Sequence, residues 1–373
     1  MPATRKVVIA AIGTSLLATA VATAVPPDRS DNTSAVKQQL IARTAGGGAP
    51  NAPAGEPTIS WDGRVARYVA YTSTATNIRP GTNGRRNVFL VTRGGGGAGA
   101  PWTYGSTTLA SAGLNGAPAN GDSFSPALGG WTQGDSAHKP RCLAFVSNAS
   151  NLVARDANNR ADVFIRSLPS GTTRRIASPA GKSASDVAVS GDCRTFAIVA
   201  GGSLYLKRPG SLKRLTSGGV RSPRLTFNGA GLSYAKRGRI YVRARSGGAR
   251  RVASGSDPAA EGGKPSSPRR GRLRSVAYKR GGVVHYKHVG GRDRRVGSGT
   301  AARPSAGGGQ VMFGSGPYVY LYAVSNSFGK KAPQGFCPSG QGNVTETYPS
   351  GRGNYIVFSC SAGRIYLSYL GGK

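Results

Sequence analysis

Acidic residues are scarce in this chain. Its 373 residues include 14 Asp and Glu against 50 Lys and Arg, a formal charge of +36 at neutral pH. So few carboxylates, spread so widely, leave little material for the paired acids of a glycosidase or lyase. Histidine is also rare: His138, His285 and His288 are the whole set. There is no Cys-x-x-Cys spacing, and only His138, four residues before Cys142, stands close to a cysteine in sequence, which speaks against a zinc site. Nor is there a Gly-x-Ser-x-Gly, so the nucleophile elbow of an α/β-hydrolase is missing. The 57 glycines and 23 prolines exclude a coiled coil or helical bundle, neither of which tolerates so many helix breakers. Beyond the N-terminus no apolar run is long enough for a membrane helix. What remains is 38% hydrophobic and 8% aromatic, enough for a sizeable core.

Residues 1–24 read as an export signal. Arg5 and Lys6 precede the uncharged apolar stretch Val7–Ala20, and Ala22-Thr23-Ala24 offers small residues for cleavage. Residues 25–37 are polar and irregular and read as a flexible lead-in. The four cysteines, an even number, fit an oxidising compartment. The favoured pairing is Cys142–Cys193 and Cys337–Cys360, although four cysteines allow three pairings and the other two stay open. The expectation is a secreted or cell-wall-associated protein with no membrane span in the mature chain.

Two strand motifs alternate through the rest. The first is an apolar–small–aromatic triplet, as in Val69-Ala70-Tyr71, Leu143-Ala144-Phe145 and Ile356-Val357-Phe358. The second is apolar–aromatic–apolar, as in Val88-Phe89-Leu90, Val163-Phe164-Ile165 and Ile365-Tyr366-Leu367. Each occurs seven times, and the centres of the second lie 75, 41, 36, 44, 35 and 46 residues apart. Both are β-type in composition, and turns rich in Gly, Asp and Asn precede the first. A further strand ending in small residues follows the second, as in Arg175-Ile176-Ala177-Ser178. Four strands in about 40 residues is the size of a propeller blade. The last unit stops after its third strand, and residues 39–45 look like an orphan fourth strand that closes the ring. The predicted fold is therefore all-β: a single seven-bladed β-propeller over residues 38–373, with six blades as the alternative.

The runs Ile59-Ser60-Trp61-Asp62-Gly63-Arg64 with Val69-Ala70-Tyr71, and Leu143 to Ser147 through Asp162 to Arg166, resemble the PD40 (WD40-like) repeats of TolB-like β-propellers. The resemblance spans roughly residues 57–371. It implies a propeller of six or seven blades. The separate α/β domain that precedes the TolB propeller has no counterpart in these residues.

The positive charge is local. Between Leu204 and Val296 there are 24 Lys and Arg against Asp257, Glu261 and Asp293. The residues expected to meet a polyanion are Lys207, Arg208, Lys213, Arg214, Lys236, Arg237, Arg250, Arg251, Arg269, Arg270, Lys279 and Arg280. An anionic cell-wall polymer or a protein partner fits best. Nucleic acid is less favoured, because the aromatics of this window sit inside strand motifs and read as core rather than as stacking platforms. A monomer is expected.

Three further sites are legible. Asp156, Asn158 and Asp162 offer oxygen ligands to calcium, but a structural turn held by Asx hydrogen bonds is the better reading, and no cofactor is expected. His285 stands where other repeats hold Tyr or Phe and reads as a packed histidine; with His288 and Asp293 it makes only a weak metal candidate. Trp61, Trp102 and Trp131 either line a sugar or peptide groove or are buried beside the turns. The overall expectation is a non-catalytic binding or scaffold protein. The alternative is a hydrolase or lyase acting on an anionic polysaccharide in the central channel. Convergent carboxylates there would favour the enzyme; an apolar or solely basic lining would favour binding.

Overall fold

The computed structural model describes residues 37–370, except 63–64, 96–99, 131–140, 169, 177–178, 180, 262–272, 306–308, 325–328 and 352. The strands form seven four-stranded antiparallel sheets arranged as a ring, a seven-bladed β-propeller. In chain order the blades span residues 54–109, 123–176, 184–216, 220–254, 256–298, 300–336 and 344–369, the last completed by residues 37–40. The expected signal segment 1–24, the expected lead-in up to residue 36, His138, Trp131, Arg269 and Arg270 lie outside the described residues.

Each blade packs face to face against its neighbours, so its two central strands are covered on both sides. That is why they read as near-continuous apolar runs. Cys142–Ser147 and Tyr355–Cys360 are buried at every position. The two motifs meet in register in every blade: the aromatic end of the triplet pairs with the centre of the next strand. Tyr71 faces Phe89, Phe145 faces Phe164, Tyr234 faces Tyr241, Phe313 faces Tyr320 and Phe358 faces Tyr366, with Ile198–Tyr205 and Tyr278–His285 at the same place. Outer strands are polar because one edge and much of both faces meet water; Ser211–Thr216 is exposed at its first four residues.

The ring closes through Lys37–Leu40, antiparallel to Arg364–Tyr369, with Leu40 opposite Tyr366. This strand starts and ends earlier than the expected 39–45. Ile41 and Ala42 are apolar because both are fully buried between blades, not because they lie in the strand. Gln38 donates to Phe336 O (3.0 Å) and accepts from Phe336 N–H (3.1 Å) in blade six, while Gln39 donates to Trp102 O in blade one. One short strand thus ties three blades together. Both cysteine pairs also join neighbouring blades: Cys142–Cys193, with Cα atoms 6.1 Å apart, and Cys337–Cys360, with Cα atoms 5.8 Å apart. No helix among the described residues is long and apolar enough to cross a membrane.

Candidate functional sites: the axial channel and the basic rim

The inner strands are Ala54–Ile59, Ser123–Leu128, Ala184–Val189, Val220–Leu225, Ser256–Glu261, Thr300–Pro304 and Val344–Pro349. Each breaks register with its neighbour at an equivalent place, a β-bulge. Glu56 (φ 51°), Ser125 (φ 52°), Ser222 (φ 50°) and Asp257 (φ 47°) adopt left-handed backbone at the bulge, and a proline follows each. Proline is tolerated there because the inner edge has no strand to bond to. The bulge position is acidic in four blades: Glu56, Asp186, Asp257 and Glu346. Two residues on stand Thr58, Ala127, Ala188, Arg224, Ala259, Arg303 and Tyr348, and all seven line an axial cavity of about 260 Å3. Glu56, Asp186 and Glu346 line it as well, as does Glu261, so all three glutamates of the chain face this channel. The scattered acids of the sequence therefore converge, because ring closure superimposes equivalent positions of distant repeats.

The acids are linked around the axis. Glu56 Oε2 accepts from the Ser125 N–H (3.0 Å) and the Thr72 hydroxyl (3.2 Å). Glu346 Oε2 accepts from the Glu56 N–H (3.0 Å) and the Ser359 hydroxyl (3.2 Å), and the Ser125 hydroxyl donates to Asp186 Oδ1 (2.5 Å). Burial pushes the carboxyls of Asp186 and Glu346 above the usual carboxylate range, against the pull of Arg224 on Asp186 and of Arg303 on Glu346. Arg224 Nη2 donates to the Tyr348 hydroxyl (3.1 Å), and Arg303 Nη2 lies 3.4 Å from the same oxygen. Burial opposes the charge on Arg224, yet Tyr348 and Asp186 hold its pKa above the ordinary value. At one end of the channel Trp61 of blade one stacks on Phe227 of blade four, ring centroids 6.3 Å apart. There the turns of blades two, three and four are laced by Gly130 N–H to Gly191 O (3.1 Å) and Gly191 N–H to Phe227 O (2.6 Å). Of the other tryptophans, Trp102 is buried and donates to Ala66 O (2.6 Å), as a packed residue.

The basic residues fall into three places. Lys213, Arg214, Arg250 and Arg251 lie on outermost strands, on the rim of the ring. Lys207 and Arg208 end the third strand of blade three. Lys236, Arg237, Lys279 and Arg280 lie at turns between second and third strands, at the opposite end of their blades. Register then shows a pattern: the aromatic centre of the third strand faces the second member of a basic pair. Arg174-Arg175, Lys213-Arg214, Arg250-Arg251 and Arg294-Arg295 occupy this place in blades two to five. All eight residues are exposed. Successive strand residues point to opposite faces, so each blade edge shows a cation on either side. The window Leu204–Val296 leaves out Arg174 and Arg175, whose place in the band only strand register reveals.

Asp156 and Asp162 both meet Arg175, at 2.6 and 3.2 Å, and Asn158 donates to Asp162 (2.7 Å). An arginine thus bridges the two carboxylates, and the Asn158 carbonyl takes the Arg160 N–H (2.9 Å) as in an Asx turn. His285 stacks on Tyr278 (5.3 Å) and bonds Asp293 (3.1 Å), while His288 stands edge-on to Tyr286. No group of three or more metal-ligating side chains occurs among the described residues. A scan against protein-family models and a search of curated proteins each found no match to this chain.

Proposed function

We propose that this chain is an exported binding propeller of the TolB-like kind, whose rim engages an anionic polymer of the cell envelope. The observation that carries the reading is the basic pair repeated at one register on four successive blades. A repeated charge at fixed spacing suits a polymer of repeated opposite charge, and each contact adds to the others. The two disulfides between blades accord with an oxidising compartment. The test is retention of the purified protein on cell-wall polymer and on DNA over a salt series. Stronger retention on the wall polymer, falling with salt, is expected. A variant carrying Lys213→Glu, Arg214→Glu, Arg250→Glu and Arg251→Glu should elute far earlier. Equal retention of that variant, or none of the wild type at low salt, would sink the reading.

One observation favours a second reading, a hydrolase or lyase of an anionic polysaccharide: Glu56, Asp186 and Glu346 share the channel with Tyr348 and two arginines. Release of new reducing ends from such a polysaccharide, lost in Glu56→Gln, would establish it.

A further inference from the structure

The position two residues past the bulge of the inner strand provides a comparison internal to the fold. Blades one, two, three and five hold Thr58, Ala127, Ala188 and Ala259 there. The ring thus packs with small residues at this place, and the space they leave is the cavity. Blades four, six and seven send Arg224, Arg303 and Tyr348 into it. Arg303 is 9% exposed, and its Nε, like that of Arg224, has no hydrogen-bond partner among the described residues. Neither guanidinium is in ion-pair contact with a carboxylate among the described residues. Sheltering two such charges without a contacting anion is costly, and nothing in the blade repeat requires them.

We infer that the axial channel is a binding site for a small organic acid, whose carboxylate is taken by Arg224, Arg303 and the Tyr348 hydroxyl. The planar guanidinium fork suits a carboxylate, and two forks with one phenol supply donors on several sides of it. Toward the other end of the inner strands stand Glu56, Asp186 and Glu346, which as carboxylates accept hydrogen bonds from the ligand. The ligand therefore carries hydroxyl or ammonium donors at the end away from its carboxylate. A sugar acid and an amino acid share this chemistry. A cavity of about 260 Å3 suits a single sugar or amino-acid unit, below the roughly 300–1,000 Å3 of sites for larger ligands. Trp61 and Phe227 stack at the far end of the inner strands. This inference does not rest on the rim.

The experiment is calorimetric titration of the full folded chain with galacturonate, serine and, as a control without the carboxylate, galactose. One of the two acids should bind, and which one identifies the source; galactose should bind about tenfold more weakly or worse. Arg303→Gln and Tyr348→Phe should each weaken the acid, the arginine change by about tenfold or more. Arg85→Gln, at an exposed turn of blade one, should bind it unchanged. A second measurement needs no ligand. Arg303→Met should raise the melting temperature of the free protein, because a sheltered charge with no carboxylate in ion-pair contact is removed. Binding of neither acid, affinity for galactose equal to that for galacturonate, or a lowered melting temperature in Arg303→Met would overturn the assignment.

Discussion

Arg224 of blade four and Tyr348 of blade seven meet across the propeller axis, guanidinium nitrogen to phenolic oxygen at 3.1 Å. They are 124 residues apart in the chain. Arg303 of blade six reaches the same hydroxyl and lies over the same ring, 4.9 Å from its centroid. The centre of this protein is thus neither apolar nor solely basic. It is a mixed lining in which each charged group belongs to a different blade.

The closing strand should govern stability out of proportion to its length. Deleting residues 37–46 removes the edge pairing with Arg364–Tyr369, both glutamine clamps and the burial of Ile41. Losing a buried isoleucine alone costs about 2–5 kcal/mol. The melting temperature should fall by about 10 °C or more, and calorimetry checks this. An unchanged melt would mean that blade seven is stable with three strands.

Arg175 should matter more than an exposed arginine usually does. It bridges two carboxylates whose side chains are 3% and 1% exposed. Arg175→Gln leaves both without their cation and should cost about 2 kcal/mol, less than for a fully buried pair because Arg175 is partly in water. Chemical denaturation reads this directly. Added calcium should leave the wild-type melt unchanged. A calcium-dependent rise that disappears in Asp156→Ala would show a cation site instead of an Asx turn.

Gly191 is required by close approach and not by backbone angle. A Cβ there would lie 1.9 Å from Gly130 O. Gly191→Ala should therefore destabilise by about 3 kcal/mol. Gly248→Ala, where nothing lies within 4 Å, serves as the control and should be nearly neutral. Equal effects at the two positions would show that the turns beside Trp61 and Phe227 are not tightly packed.

The channel acids make a prediction about pH. Asp186 and Glu346 have carboxyls raised by burial, so the folded protein holds their protons more tightly than the unfolded chain does. Their contribution to stability is full below the ordinary carboxylate pKa of about 4 and is lost as pH rises through their raised folded values. An Asp186→Asn/Glu346→Gln variant should therefore gain on the wild type as pH rises across that window. Asp62 and Asp156, also raised by burial, are common to both proteins and cancel in the difference. Melting curves across the acid range check this; a constant difference would mean that the two groups titrate alike in the folded and unfolded chains.

The blade count was legible because the central strands are sandwiched on both faces. That constraint forces the same apolar–small–aromatic and apolar–aromatic–apolar patterns in every repeat. Inner strands escape it. One edge faces the channel, and SDPAAE and VTETYP share no alternation that marks a strand. A signal was available: Glu56-Pro57, Ser125-Pro126, Ser222-Pro223 and Asp257-Pro258 each precede a triplet and mark the bulge. The closing strand lies a few residues before its expected place for a related reason. Its outer edge is wet, so its own residues are polar, and the apolar Ile41-Ala42 that carries the local signal lies just beyond it.

Local pattern, then, determined the β-character and favoured seven blades and the cysteine pairing, since each depends on short-range periodicity or on equivalent places in neighbouring repeats. Only the tertiary structure decided what faces the axis. Ring closure brings Glu56, Asp186, Arg224, Arg303 and Tyr348 into one cavity, and no spacing in the chain encodes that meeting. It arises because seven sheets, each turned by a similar angle from the last, direct the same strand position toward a common line.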